Sequence, residues 1–273
     1  MNKGISIYFG FDSDIEERVK KIKKAGFDAI ITNADPRFNN QNGDIKKQVK
    51  LCKKYGLKLS SLHARYLNNE LKYFFENGKI GDKLEKNLIR DIKIAHKYGF
   101  KCVVAHMDGE NNYIGIERLK RVLVYARKYK IPLAIENINN NNSLDYIFEN
   151  LEDEYLKFCF DSGHQHTFSP NRDILNEYGE KLVTLHLHDN DGTADQHTLN
   201  QFGNIDWDDL AKSLAKYNPV SLDYELLLYS MPSNITEDEA LKLCYQNACE
   251  LEEKIKKYKT EYLKKFYEKI HNQ

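Results

Sequence analysis

The sequence predicts an α/β protein of the (β/α)8 (TIM) barrel class, a single domain over residues 1–273 with an extended C-terminal helical tail from about residue 256. Short apolar runs alternate with amphipathic stretches eight times, the unit count and size of such a barrel. The third to the eighth run each carry an imidazole or a carboxylate at or near the end where barrels build their sites. A doubly wound sheet is the alternative, but it does not usually place polar residues at so many strand ends. The asparagine run 139–142 is too short and too embedded to be a linker between two domains.

Each element has a local reason. Ile5–Gly10 reads as the first strand, and Asp12 or Ser13 can cap a helix ending near Gly26. Phe27–Thr32 is the second run, followed by a helix from about Asp44 to Tyr55 that Gly56 closes. Leu57–His63 is the third; a long loop then precedes a helix over Asp82–Tyr98. That helix carries Leu84, Leu88, Ile92 and Ala95 on one face and stops at Gly99. Phe100–His106 and a helix near Ile116–Lys130 make the fourth unit. Ile131–Glu136 leads past the asparagines to a helix near Leu144–Leu151. Leu156–Asp161 leads to a short helix near Arg172–Tyr178, and Leu182–Asp189 leads past a long polar loop to Trp207–Tyr217. Val220–Leu226 is the eighth run. The last helix, from Glu237, turns Ala240, Cys244, Ala248, Leu251 and Ile255 inward, and the charged tail 256–273 extends it or packs beneath the barrel.

Composition excludes several classes. Lys plus Arg (41) equals Asp plus Glu (41), so no global basic field draws in nucleic acid, although a local patch stays open. The five cysteines form no C-x-x-C pair and sit mostly in apolar runs, as free thiols in a reducing compartment do. No signal peptide is legible, and no apolar run nears the ~18 residues of a membrane span, so a cytoplasmic protein is expected.

The chemistry concentrates in Leu185-His186-Leu187-His188-Asp189-Asn190-Asp191-Gly192, followed by Asp195-Gln196-His197. Alternation puts His186 and His188 on one face of a strand that breaks into a loop rich in metal-capable groups. Imidazole and carboxylate are the ligands divalent transition metals favour, whereas such groups buried without partners are costly. Seven of the nine histidines (63, 106, 164, 166, 186, 188 and 197) lie at or just beyond a strand run, which points to one site. Reading off the strand ends gives His63, His106, Glu136, Asp161, His186 and Glu225, with His164, Asp195 and His197 close behind. Any one of them could be a hydrogen-bonded structural residue or a helix cap. Six consecutive strands ending so argue for convergence at the barrel mouth.

The runs Leu185–Thr193, Asp195–His197, Gly203-Asn-Ile-Asp-Trp207 and Phe160-Asp-Ser-Gly-His164 resemble the sugar phosphate isomerase/epimerase group of the xylose isomerase-like barrel superfamily, over nearly the whole chain. The resemblance implies Glu136, Asp161, His186 and Glu225 as metal ligands and His164 as a substrate contact. An arginine that the epimerases place soon after the strand-seven histidine is replaced by Asp191-Gly192-Thr193, and the Gly-Glu-Gly often found before Ile-Asp-Trp is reduced to Phe202-Gly203-Asn204. Apurinic/apyrimidinic endonuclease IV, a relative, is similar in its zinc ligands. His63, His106, Glu136, Asp161, His164, His186, Asp195, His197 and Glu225 match all of them, and Tyr66-Leu67 follows His63 at the spacing of a DNA-penetrating pair. The strand-seven motif favours the sugar branch, where Tyr66-Leu67 reads as a lid over a sugar pocket.

The ligand types suit Mn²⁺ or Zn²⁺, with Co²⁺ possible and Mg²⁺ less suited as imidazoles accumulate. The expected activity is isomerisation or epimerisation of a sugar or sugar phosphate through a metal-stabilised enediolate, with Glu136 and Glu225 as the acid/base pair. His188 is expected behind the metal or facing substrate. Arg37 and Arg65 lie in loops that could reach a phosphate but read better as surface residues. A homo-oligomer is in keeping with the family, and no membrane partner is expected.

Overall fold

The computed structural model describes residues 1–10, 13–65, 69–217 and 219–271. Eight parallel strands run β1 (Asn2–Ser6), β2 (Ala29–Asn33), β3 (Lys58–His63), β4 (Cys102–Ala105), β5 (Leu133–Glu136), β6 (Leu156–Asp161), β7 (Leu182–His186) and β8 (Ser221–Tyr224). They hydrogen-bond in the order β7-β6-β5-β4-β3-β2-β1-β8. The seam between β7 and β8 is closed just past the end of β7, where Leu187 N–H donates to Asp223 O and Glu225 N–H donates to Leu187 O. This is a (β/α)8 barrel, and the closing rungs fix the height at which Glu225 faces His186.

The helices are α1 (Ile15–Ala25), α2 (Asn39–Asn42), α3 (Ile45–Lys54), α4 (Lys79–Tyr98), α5 (Tyr113–Tyr129), α6 (Asn142–Asn150), α7 (Ser162–Phe168), α8 (Ile174–Tyr178), α9 (Trp207–Tyr217) and α10 (Glu237–His271). Each amphipathic helix buries one stripe against the outside of the strands; on α4 that stripe includes Leu84, Leu88, Ile92 and Ala95. α10 runs unbroken through the charged tail, which therefore extends the last helix. None of the described helices is long and apolar enough to cross a membrane.

Inside the barrel the side chains are small or polar. Cys102, Val104, Ala134 and Cys159 form a buried cluster, and the Asp223 carboxylate takes hydrogen bonds from Ser60 and Ser221 hydroxyls. A Cβ at Gly4 would collide with that carboxylate, so the first strand must carry glycine there. Burial pushes the Asp223 carboxyl above its ordinary range.

The elements depart from the sequence reading mainly at their ends. The first strand runs over Asn2–Ser6 rather than Ile5–Gly10, because its rungs to β8 begin at Asn2↔Ser221. α7 begins directly on Asp161, whose carboxylate caps it by accepting the His164 N–H; no apolar period announces this helix. The cap of α1 is Asp14, whose Oδ1 accepts from the Glu16 and Glu17 N–H groups, and not Ser13; Asp12 lies outside the described residues. Ser13 instead offers its carbonyl to buried Arg18, at 3.0 Å. Asp14→Ala should therefore lower stability by about 1 kcal/mol in chemical denaturation, while Ser13→Ala stays within about 0.5 kcal/mol of the parent. The reverse order would contradict this capping assignment.

Candidate functional site

The strand ends bring together every residue that the sequence singled out at the barrel mouth. Glu136, fully buried at the end of β5, is the hub. Its Oε2 lies 3.2 Å from His106 Nε2, 3.1 Å from His186 Nδ1 and 3.7 Å from His63 Nε2, and its Oε1 lies 3.3 Å from His164 Nδ1. Glu225 Oε2 approaches His186 Nδ1 from β8 at 3.6 Å. Asp161 Oδ1 lies 3.1 Å from His188 Nε2. Asp195 bridges outward, 3.3 Å from His164 Nε2 and 3.2 Å from His197 Nε2.

Four overlapping groups of side chains keep their ligand atoms within 4.8 Å of one another: His63, Glu136 and His186; Glu136, Asp161 and His164; Asp161, His186 and Glu225; and His164, His188, Asp195 and His197. Ring orientation decides what these groups can hold. His63, His164 and His197 each place Nδ1 against a main-chain carbonyl, of Ala64 at 2.9 Å, Asn137 at 2.8 Å and Glu225 at 2.8 Å. An Nδ1–H donated to a carbonyl leaves Nε2 to face the cavity, the orientation that a metal-ligating imidazole takes. Both ring nitrogens of His186, Nε2 of His188 and Oδ2 of Asp161 are buried without a hydrogen bond. The carboxylates are near His186, but off the axis of any N–H. Buried donors that converge without bonding each other fit a divalent cation, whose charge would offset their burial.

The loop after β7 is built to deliver Asp195 and His197. Asp189 anchors both of its ends, accepting from Asn190 N–H at 2.8 Å, Ile205 N–H at 3.0 Å and Trp207 Nε1–H at 2.5 Å. Gly203 passes so close to that carboxylate that a Cβ would overlap it. This accounts for the Gly-Asn-Ile-Asp-Trp run, in which Asp206 also caps α9. His197 holds a left-handed φ of 53°, a strained value for a β-substituted residue that aims its ring inward. Gly163 is glycine because the His188 ring occupies the space of its Cβ.

A cavity of about 520 Å³ opens over this cluster. His63, His106, Glu136, His164, Asp195, His197 and Glu225 form its floor, and Tyr8, Phe38, Leu71, Phe168 and Tyr229 form its apolar walls. Asn33, Asn42, Asn139 and Asp108 line it between them. His186 and His188 are fully buried beneath it. His166 does not join the site: its Nε2 pairs with Asn204 Oδ1 at 2.6 Å and so braces the loop. Arg37 is tied to Asp35 at 2.7 Å and, like Arg65, is not among the lining residues. Tyr66 and Leu67 lie outside the described residues. Asn137 and the wall aromatics were missed by the sequence reading, since neither strand period nor ligand type marks them.

Charge follows from this packing. Burial alone would push the Glu136 carboxyl up, but His186 and His106 beside it hold it well below the usual carboxylate range. Burial lowers His164, and the adjacent Asp161, Asp195 and Glu136 more than reverse this, lifting it well above the ordinary imidazole value. For His197, burial is likewise outweighed by the bond to Asp195, which raises it to about 9. Burial dominates at His106 and pushes it down.

The fold and the site together define a (β/α)8 barrel with carboxylates and imidazoles at its mouth. A model of the xylose isomerase-like TIM barrel family (AP_endonuc_2) matches residues 19–243, and the chain belongs to that family. It is 25% identical over 246 residues to the uncharacterized protein y4fM of Sinorhizobium fredii, an alignment covering 76% of this chain and 79% of the relative. Among solved structures, a D-tagatose 3-epimerase-like protein superposes with a TM-score of 0.73 at 18% identity, covering 96% of this chain and all of that one. The 3-keto-D-glucoside 4-epimerase YcjR of E. coli superposes with a TM-score of 0.66 at 17% identity, covering 92% and 99% of the two chains. At these identities the likeness to the solved structures is one of fold.

A pH dependence follows. Burial lowers His186, the imidazole among the candidate ligands, and the neighbouring Cys159, Glu225 and Glu136 more than reverse this, so at pH 7 it holds a proton that a cation must displace. Affinity for Zn²⁺ should therefore rise with pH from neutrality upward, by about tenfold or more. Calorimetric titration in buffers of different ionisation enthalpy should show net proton release. Binding that is flat with pH and releases none would contradict this charge state.

Proposed function

We propose that the protein is a divalent-metal-dependent isomerase or epimerase of a sugar or sugar phosphate. The observation that carries this reading is the approach of two carboxylates in the floor of the cavity, Glu136 and Glu225, to one nitrogen of the His186 ring buried beneath it, at 3.1 and 3.6 Å. A cavity of about 520 Å³ lined by polar and aromatic side chains suits a molecule of the size of a sugar. The family and the epimerase neighbours support the same class.

Glu136, Asp161, His186 and Glu225 would hold the cation, for which Mn²⁺, Zn²⁺ or Co²⁺ is the best match to the donor set. When bound, it supplies a Lewis acid that polarises a carbonyl and its neighbouring hydroxyl. The chain's own groups do the rest. One glutamate carboxylate takes the proton from the carbon next to the carbonyl, and the C–H electrons move onto the carbonyl oxygen through an enediolate. The other glutamate returns a proton to carbon, on the opposite face for epimerisation or at the adjacent carbon for isomerisation. The imidazoles around Glu136 keep it ionised, the charge state that the base role requires. His164 and His197 orient hydroxyls at the cavity floor, and Tyr8, Phe38 and Tyr229 limit the access of water.

Glu136→Gln or Glu225→Gln should cut solvent-proton exchange at the substrate's α-carbon by about 10²–10⁴-fold, read by NMR in D₂O, with the fold intact by circular dichroism. Exchange at the parent rate in either variant removes that glutamate from the scheme.

The second group, His164, Asp195 and His197 with His188, favours one further reading. With its own cation it would make a multinuclear site of the kind that hydrolyses phosphodiesters, as an endonuclease IV-like enzyme does on abasic DNA. Elemental analysis should find one metal per chain for the sugar chemistry and three for the hydrolase. Cleavage of an abasic-site duplex, lost in His63→Ala, would establish the hydrolase; no cleavage by the fully loaded protein would exclude it.

A further inference from the structure

Asn137 follows Glu136 at the point where β5 ends, and it is fully buried. The last main-chain pair between β5 and β6 is Glu136↔Cys159. Beyond it the Asn137 amide takes over the role of a ladder rung. Its Oδ1 accepts the Asp161 N–H at 2.7 Å, and its Nδ2 donates to the Asp161 carbonyl at 2.8 Å. The Asn137 main-chain carbonyl lies 2.8 Å from His164 Nδ1. Asp161 Oδ1 accepts the His164 N–H at 2.7 Å, which closes the circuit. One residue thus touches both a strand-end carboxylate residue and a cavity imidazole, and it is bonded covalently to a third candidate ligand.

We propose that Asn137 is a positioning residue that sets Asp161 and His164 as one rigid unit beside Glu136 and keeps the Nδ1 proton of His164 on the main chain, so that Nε2 always faces the cavity. The inference rests on the metal-centre reading above. Only an amide satisfies Asp161 fully, because it carries a donor and an acceptor side by side. An aspartate of the same shape keeps the acceptor, loses the donor, and sets a carboxylate oxygen against the Asp161 carbonyl. A shortened side chain leaves two buried main-chain groups without partners. Either change frees the end of β6 to move relative to β5, and the ligand set loses its preset geometry.

The test compares the parent, Asn137→Asp and Asn141→Ala. Asn141 is a second buried asparagine of the same loop, bonded to Ile138 N–H and Ser169 Oγ and to none of the candidate ligands. Co²⁺ is the probe, read by its d–d absorption and by calorimetry, with imidazole ¹⁵N NMR on the Zn²⁺-loaded parent. Asn137→Asp should weaken Co²⁺ binding by about 10–100-fold and alter the d–d bands, whereas Asn141→Ala lowers thermal stability and leaves affinity within about twofold. In the loaded parent the His164 proton should sit on Nδ1 and exchange slowly. Parent-like affinity and bands in Asn137→Asp overturn the inference, and so does a His164 ring that carries no proton on Nδ1 in the parent. The parent NMR result decides alone should Asn137→Asp not fold. A parent that binds no Co²⁺ overturns the metal-centre reading itself.

Discussion

The burial of Glu136 is the constraint on which the rest of the site depends. A carboxylate taken fully out of water at the end of a strand is destabilising by several kcal/mol unless opposite charge meets it. Here four imidazoles, from β3, the end of β4, α7 and β7, converge on its two oxygens. They are aligned only in part with hydrogen-bond axes, and the nitrogens of His186 make no hydrogen bond to a carboxylate. On the proposed metal-centre reading the arrangement is a preorganised set of donors, whose compensation a cation would complete. The outer group around Asp195 repeats the pattern one layer nearer solvent.

That arrangement demands precise strand ends, and the barrel supplies them by means that cost little sequence. The closing rungs between Leu187 and β8 set Glu225. The reciprocal bonds of Asn137 set Asp161, and Ser162 Oγ exchanges bonds with the main chain of His188 at 2.8 and 3.0 Å. Glycine appears where a ring or carboxylate needs the room, at Gly163 under His188 and at Gly203 against Asp189. Sites held on strands and braced by such neighbours are more exact than sites held on loops. The one loop that does contribute ligand candidates is tied at both ends to Asp189.

The mixture of imidazole and carboxylate explains why one scaffold can carry either proton transfer on a sugar or hydrolysis of a phosphodiester. Both begin with a cation that stabilises developing negative charge on oxygen. They differ in how many cations the site takes and in what the walls admit. In this chain aromatic rings, amides and imidazoles line the cavity, and lysines plus arginines equal aspartates plus glutamates in number.

The barrel, and the gathering of metal-capable side chains at its mouth, were legible in the sequence alone. Apolar runs and helical stripes are local periodicities, and a polar residue closing a run such as Val103-Val104-Ala105-His106 is visible without any fold. Boundaries were less legible, since strand ends depend on rungs to neighbours and a cap depends on which carboxylate reaches two amides; hence Asp14 and not Ser13. Only the tertiary structure decided that His166 braces a loop while His164, two residues earlier, enters the cavity, because α7 turns the two rings to different faces. The ring nitrogen facing the site, the rung made by Asn137 and the size of the cavity were decided there too. Each depends on groups brought together from distant parts of the chain, and no local pattern records them.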